Sequence, residues 1–517
     1  MTILRQGLNA DVGLLLEGTF PYVSGGVSSW VNQIIKAFPD LSFALCFLGS
    51  RPEDYGDMKY ALPDNVTHME VHYMHEQDEP PPIIPTHIAP QTMKDVYVGH
   101  EAMKQAGADR EKMDRVFAAM LERAMPGSQI NLGKFLHARE SWDMIRDFYT
   151  RYSRDPSFVD YFRTVRIMHV PLWRLGRIAD KFPQIRCLHT VSTGYAGLLG
   201  AMLHHRRGLP LILSEHGIYT KERKIDLFQA EWIKDNRNLF ERDASEVSYY
   251  REMWVQFFEV LGVMCYNAAE QIIALYETNR LRQIQDGAEP ARTRNIPNGV
   301  DIKRLAALRP QRPSEPPPIF CLLGRVVPIK DVKTFIRAMR IVVDRLPEAE
   351  GWIAGPTDED PAYATECLNL VASLNLTDKV KFLGFQKIDQ LLPKVGALVL
   401  SSISEALPLV ILEGYAAGVP CIATDVGSCR QLVEGLEEED RALGSSGRIV
   451  GIADPQALAL AAIDLMQPEH WSAAQQAGIA RVERFYTQEQ MFSSYRQVYE
   501  RALATPLRPP QQQEGHA

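Results

Sequence analysis

Two doubly wound α/β domains, each a mostly parallel sheet covered by helices, are the fold class that the sequence predicts. Three observations carry that expectation. Short β-branched or apolar runs alternate with helical patterns, which is the mark of βαβ units. The alternation comes in two sets, separated by NIPNGVDIKRLAALRPQRPSEPPP (295–318), whose Pro and Gly density marks a linker. The chain has 517 residues, and at about 150 residues per domain that is room for two domains and roughly one more domain's worth of chain.

The first set begins with VGLLLEG (12–18), continues through the helical pattern GVSSWVNQIIKAF (26–38) to SFALCFLGS (42–50), and resumes at CLHTVS (187–192), LPLILSEHG (209–217) and VMCYNAAEQIIAL (263–275). Residues 51–185 interrupt it with an acidic, Pro-rich stretch, DEPPPIIP (78–85), and long helical patterns such as EAMKQAGADREKMDRVFAAMLERAM (101–125), so they read as a helical insertion. The second set is PIFCLLGRV (318–326), GWIAG (351–355), KVKFLGF (379–385), ALVLSS (397–402) and PCIAT (420–424), with amphipathic stretches between. The expected domains are therefore 1–305 and 306–486, followed by a helix over 487–505. Met491, Tyr495 and Tyr499 recur there at helical spacing and read as packing anchors. The polar, Pro- and Gln-rich end, 506–517, reads as a disordered tail.

Composition narrows the class of function. Apolar residues at 46% and charged residues at 23% are those of an ordinary globular protein. The formal charge of −8 excludes bulk attraction to nucleic acid or anionic membrane, so an anionic ligand must meet a local cationic site. Seven cysteines without a CxxC pair read as buried thiols of a reducing compartment. The first apolar run stops at Glu17 and nowhere do about 18 apolar residues run together, so neither a signal peptide nor a spanning helix is expected. A cytoplasmic enzyme or binding protein is the class that remains.

The stretch richest in chemistry is SSISEALPLVILEGYAAGVPCIATDVG (401–427). A strand ends near Ser402, Pro408 suits a first helical turn, and Gly418 with Pro420 stops the helix. Glu405 and Glu413 bracket the loop and helix start. Ligands of open α/β sheets bind beyond the carboxyl ends of strands, and carboxylates there suit hydroxyl groups, since each can accept two hydrogen bonds from a diol. GRVVPIKD (324–331) puts Arg325 and Lys330 at another strand-to-helix junction, where cations can clamp a diphosphate. In the first domain Gly25 and Gly26 allow close backbone approach at a helix start, and His216 follows a buried-type strand in LSEHGIY (213–219). The bland alternatives are a capping Glu405, a solvated Glu413, a tight-turn Gly pair and a hydrogen-bonded structural histidine.

In this order the elements resemble the retaining glycosyltransferases of family 4, which have the two-domain GT-B fold. The resemblance rests on GGV (25–27), His216, NGVD (298–301), Arg325 with Lys330, the Glu405–Glu413 spacing and TDVGSCRQLV (424–433). It implies two Rossmann-like domains facing a cleft that closes over substrate, the last helix crossing back to the first domain. It further implies that Arg325 and Lys330 stabilise the departing diphosphate and that Glu413 binds ribose hydroxyls. Glu405, with backbone amides around Leu407, Pro408 and Leu409, holds the donor sugar; His216 lies by the reacting carbon, Gly25 and Gly26 line the pocket, and Phe385 and Gln386 meet the base. No metal and no cofactor is implied. GLLLEGTFPYVSGGVSSWVNQII (13–35), the insertion and SEHGIYTKER (214–223) are similar to the cytosolic glycosyltransferases of Pel exopolysaccharide synthesis. That implies a UDP-sugar donor, UDP-N-acetylgalactosamine, a polysaccharide acceptor, and inner-membrane Pel synthase proteins as partners.

Two competing functions are a nucleotide-sugar epimerase of the same architecture and a non-catalytic subunit of a polysaccharide synthase. The full set of Arg325, Lys330, Glu405 and Glu413 favours transfer over both. Of the remaining motifs, HMEVHYMH (68–75) suggests a metal, but alternation along a strand favours a polar face; KERK (221–224) and LEEED (436–440) read as solvated. Phe385 reads equally as a core residue.

Overall fold

The computed structural model describes residues 2–75, 86–104, 110–153, 157–230, 233 and 248–507. It divides into two compact units, Met1–Ala274 with Asn279–Asn295 and Arg496–Ala517, and Leu275–Thr278 with Ile296–Tyr495. The Pro-rich 78–85 stretch and residues 508–517 of the expected tail lie outside the described residues.

The first unit is built on eight strands: β1 (Thr2–Arg5), β2 (Asn9–Glu17), β3 (Phe43–Gly49), β4 (Val66–Tyr73), β5 (Gln184–Thr190), β6 (Leu211–Glu215), β7 (Ala269–Ala274) and β8 (Thr293–Asn295). Their order is β1-β4-β3-β2-β5-β6-β7-β8. β1 alone is antiparallel, at the edge. The central strands are apolar on both faces: all seven residues of β3 are buried, as a sheet covered by helices on both sides requires. The helix Gly26–Ala37 returns the chain from β2 to β3 and buries Trp30, Val31, Ile34 and Ile35 on one face.

Several sequence expectations shift here. The insertion starts after β4, because Val66–Tyr73 pairs in parallel with β3 and belongs to the sheet; among the described residues five helices between Pro90 and Lys181 then carry it. VMCYNAAEQIIAL is half helix and half strand: the helix Tyr249–Ala268 runs directly into β7. The HMEVHYMH segment is not a solvated polar face, since His68, Glu70 and His72 are all buried.

The second unit carries six parallel strands, β9 (Ile319–Leu323), β10 (Glu350–Ala354), β11 (Val380–Gly384), β12 (Ala397–Leu400), β13 (Cys421–Thr424) and β14 (Gly447–Val450), in the order β11-β10-β9-β12-β13-β14. Numbered from its own first strand this is 3-2-1-4-5-6, the doubly wound order whose direction reverses between the first and fourth strands. Asp-Pro pairs start two of its helices: Asp360 caps Pro361–Ser373 through the amide of Tyr363, and Asp454 caps Pro455–Leu465 through that of Ala457. Gly418 takes φ +80 just after the helix Leu409–Ala416, which ends that helix where the sequence placed its stop.

The unit begins at Ile296, upstream of the 305 boundary that the linker suggested. The reason is a backbone exchange with residues near the C-terminal helix. The amide of Val300 donates to Tyr486 O (3.0 Å), that of Gln488 to Val300 O (3.1 Å), and a Cβ on Gly299 would collide with Thr487. LEEED also departs from expectation. Asp440 is buried and accepts from Arg481 Nε at 2.6 Å, and the Arg481 side chain is 0% exposed. Its remaining donors reach the carbonyls of Val433, Gly444 and Asp440 and the Ser446 hydroxyl. The helix Gln488–Ala504 starts in the second unit and ends in the first. Met491, Tyr495 and Tyr499 are buried along it, as packing anchors should be. All seven cysteines are buried and unbridged.

Candidate functional site

In each unit the sequence-predicted residues mostly follow the carboxyl ends of strands, some beside the pair where winding reverses and others further off, with Phe385 and Gln386 after β11 and His216 after β6. In the second unit that pair is β9 and β12. β9 leads through Gly324 and Arg325 into one turn, Pro328–Lys330, and Asp331 then caps the helix Val332–Arg345 from a left-handed conformation (φ 42). β12 leads into Ser401 and Ser402. The Ser401 hydroxyl donates to the carbonyls of Lys330 and Asp331, both at 3.0 Å, and the amide of Ile403 to Ile329 O at 2.8 Å, so the two loops are tied together.

That tie brings Lys330 and Glu405 into contact. Lys330 Nζ donates to Glu405 Oε1 at 2.5 Å and the Ser402 hydroxyl to the same oxygen at 2.6 Å, with both charged side chains mostly buried. Glu405 does not cap the helix that follows. Its loop is supported from β13: Gly427 takes φ +54, and a Cβ there would stand 2.2 Å from Glu405 O and 2.5 Å from Ala406 O. Only glycine permits that approach. Gly427 was legible in the TDVG motif but not as a support for Glu405.

The other members are spread around this pair. Arg325 is 54% exposed and pairs with Glu359, not with Glu405. Phe385 is 79% exposed beyond β11, which overturns its reading as a core residue; Gln386 folds back and donates to Leu383 O (2.7 Å). Leu407 is buried in the core and Leu409 packs against it, so only their backbones can face a ligand. Pro408 is the residue before the helix and, having no N–H, cannot contribute the amide expected of it. Glu413 is charge-coupled to Arg304 and Asp389; burial raises its carboxyl to about 7, with Arg304 opposing and Asp389 adding.

In the first unit the reversal lies between β2 and β5. Gly25 precedes the helix Gly26–Ala37 without a side-chain cap. A Cβ on Gly25 or Gly26 would meet nothing within 4 Å, so packing within the protein does not demand glycine there. His216 follows β6, is buried, and sets its ring edge-on to Trp30 at 4.6 Å between centroids. Burial lowers its pKa to about 4, and its Nε2 has no hydrogen-bond partner among the described residues. A neutral imidazole of that kind is a hydrogen-bond donor or acceptor for a ligand and a poor proton acceptor at neutral pH.

Sequence reading missed the carboxylates that organise this edge. Glu17 ends β2 and accepts from the Tyr219 hydroxyl (2.7 Å), the Ser192 hydroxyl (3.1 Å) and the amide of Ala196 (3.1 Å). Arg223 of the KERK run is not simply solvated, for it donates to the Tyr219 hydroxyl at 2.9 Å and lies over the rings of Tyr219 and Phe258. Glu215 accepts from Tyr266 (2.8 Å) and Gln283 (3.0 Å), and burial nevertheless raises it to about 7. The signal available in the sequence was a Glu closing each apolar strand run, in LLLEG and LILSEHG.

Comparison with known proteins gives these edges a family. Residues 10–291 match the Domain of unknown function (DUF3492), and residues 306–480 match Glycosyl transferases group 1. D-inositol 3-phosphate glycosyltransferase of Mycolicibacterium vanbaalenii is 27% identical over 304 residues, 54% of this chain and 62% of the relative. N-acetyl-alpha-D-glucosaminyl L-malate synthase of Bacillus anthracis is 29% identical over 189 residues, 36% of this chain and 46% of the relative. The chain thus spans less than two thirds of the length of these relatives. Among solved structures, sucrose-phosphate synthase from Thermosynechococcus elongatus superposes with a TM-score of 0.55 at 17% identity, over 96% of this chain and 99% of that one. Anabaena HepE in complex with UDP gives 0.55 at 15% identity, over 95% and 100%. The chain belongs to the DUF3492 family, carries a glycosyl transferases group 1 domain, and has the GT-B fold.

Proposed function

We propose that the chain is a retaining hexosyltransferase of family 4, PelF-like, that moves an N-acetylhexosaminyl unit from UDP-N-acetylgalactosamine to a growing Pel exopolysaccharide of the biofilm matrix. The single observation that carries this reading is the Lys330–Glu405 pair beside the winding reversal of the second sheet. A cation and a carboxylate held together there match a ligand with a diphosphate at one end and hydroxyls at the other.

In this reading the incoming diphosphate takes Lys330 from Glu405, and Glu405 turns its acceptor oxygens to the donor-sugar hydroxyls. Arg325 swings from Glu359 to the same phosphates, Glu413 takes the ribose, and Phe385 with Gln386 meets the base. When the anomeric C–O bond breaks, negative charge grows on the β-phosphate oxygen, where Lys330 already stands, and the cation lowers the barrier because it needs no rearrangement at that moment. The leaving β-phosphate oxygen takes the proton of the acceptor hydroxyl on the same face of the sugar, so configuration is retained and Glu405 is not a nucleophile. His216 stays neutral and donates a hydrogen bond to the sugar. Neither a metal nor a cofactor enters the chemistry, and membrane Pel synthase proteins receive the product.

A calorimetric screen over UDP-, GDP- and ADP-sugars tests the donor. Binding confined to UDP-N-acetylgalactosamine and its epimer supports the assignment. Incubation with that donor and an acceptor oligosaccharide then tests the reaction. Release of UDP with an α-linked product by NMR is expected, whereas recovery of an epimerised UDP-sugar, or strict dependence on Mg²⁺, sinks the proposal.

A further inference from the structure

The buried polar patch of the first sheet has no part in glycosyl transfer, and its donor atoms are unusual. His68, Glu70 and His72 alternate along β4 and therefore share one face. Cys46 on β3 is the in-register partner of Glu70 and faces the same side. All four are buried, in a layer that also receives the Phe182 ring, 6.1 Å from that of His68. Among the described residues, Cys46, Glu70 and His72 form a group whose Sγ, carboxylate oxygen and imidazole nitrogen all lie within 4.8 Å of one another.

Glu70 gathers an imidazole on each of its two oxygens. His68 Nε2 meets Glu70 Oε2 at 3.2 Å, which occupies one carboxylate oxygen. The other, Oε1, stands 3.1 Å from His72 Nε2, yet both atoms lack a hydrogen-bond partner among the described residues. Such a misaligned contact, between side chains more than nine-tenths buried, is one that a cation set between the two atoms would improve. A tetrahedral cation with bonds of about 2.0–2.3 Å spaces its ligands roughly 3.3–3.8 Å apart; here Glu70 Oε1 and His72 Nε2 stand 3.1 Å apart and Cys46 Sγ lies within 4.8 Å of the other ligand atoms.

We infer that Cys46, Glu70 and His72 bind a divalent transition-metal ion, zinc by the softness of its thiolate and imidazole donors, as a structural link between β3 and β4. His68 is a positioning residue: it holds the far oxygen of Glu70 and so orients the near one toward the metal. Binding releases the Cys46 thiol proton to solvent. Cys46 and Glu70 sit in mid-strand, and His72 stands one residue from the end of β4, level with Glu17 through Leu48 but two strands across the sheet from it; the metal takes no part in the transfer chemistry.

The test is metal analysis of the full chain purified from zinc-supplemented medium, with cobalt substituted in a parallel preparation. About one zinc per chain is expected, together with a tetrahedral cobalt spectrum and a thiolate-to-cobalt charge-transfer band. Cys46→Ser should abolish that band, His72→Gln should lower metal content at least about tenfold, and Cys187→Ser, a buried thiol of the same sheet, should change neither. Wild-type chain with less than about a tenth of an equivalent of transition metal and no cobalt band overturns the site, as does metal content indifferent to both variants. Should the variants fail to fold, the wild-type cobalt spectrum decides alone.

Discussion

The two sheets wind in the same order and reverse direction at equivalent strand pairs, yet their carboxyl edges are chemically opposite. At the edge of the second unit a cation and a carboxylate neutralise one another, Lys330 with Glu405, and an arginine and an aromatic ring stand exposed nearby. At the edge of the first unit the Glu17 carboxylate is already engaged by three donors, and the His216 imidazole that follows β6 is held neutral by burial. The same topology thus supplies one edge whose internal ion pair can open to an anionic ligand and another where Glu17, Tyr219 and Arg223 are tied to one another.

The largest expected break comes from Lys330→Ala, which leaves Glu405 alone where charge develops and should lower kcat on the order of 10²-fold or more. Calorimetry should show weakened UDP binding with the fold intact, and unchanged binding would remove the second edge from the argument. Arg325→Ala, at an exposed side chain, should cost less in the same assay. Asp440→Ala probes the rigidity behind that edge: it strands the buried Arg481 guanidinium and should destabilise the unit by about 3–5 kcal/mol, read as a fall in denaturation midpoint. Glu405→Gln should alter discrimination among donor sugars while Glu413→Gln weakens UDP itself. If the two behave alike, the division of labour fails.

The smallest effect belongs to the first edge and depends on pH. Glu215 titrates near 7 in the folded chain against an ordinary 4.5, so the folded state holds the extra proton between those values. Its contribution to stability must then fall as pH rises from about 4.5 to about 7 and level off above. The difference in melting temperature between wild type and Glu215→Gln should follow that curve; a flat difference would show that the network keeps Glu215 ionised throughout.

Much of the second unit's edge was legible because its parts are local in sequence. Lys330 and Glu405 each sit within a few residues of a strand end, and the strand runs themselves were readable from apolar alternation. What was not legible depended on distant partners. Asp440 reads as one acid in an acidic run, and nothing nearby announces that Arg481 is buried against it. Glu17 reads as the polar end of a strand, although Ser192, Ala196 and Tyr219 converge on it from elsewhere in the chain. The face of β4 that carries His68, Glu70 and His72 was legible as polar but not as buried, because period-two polarity says nothing about whether helices cover it.

By itself the sequence determined two wound sheets, the stop and start of their helices, the absence of a bulk polyanion-binding charge, and the identity of the groups at the strand ends. These are set by short-range rules of periodicity, capping and turn chemistry. Only the tertiary structure decided that Lys330 meets Glu405 and Arg325 does not, that Gly427 is the residue making room for Glu405, and that Cys46, Glu70 and His72 share one buried layer. Such facts follow from strand order and register, which bring together residues far apart in the chain and fix whether a polar atom ends in water or in the core.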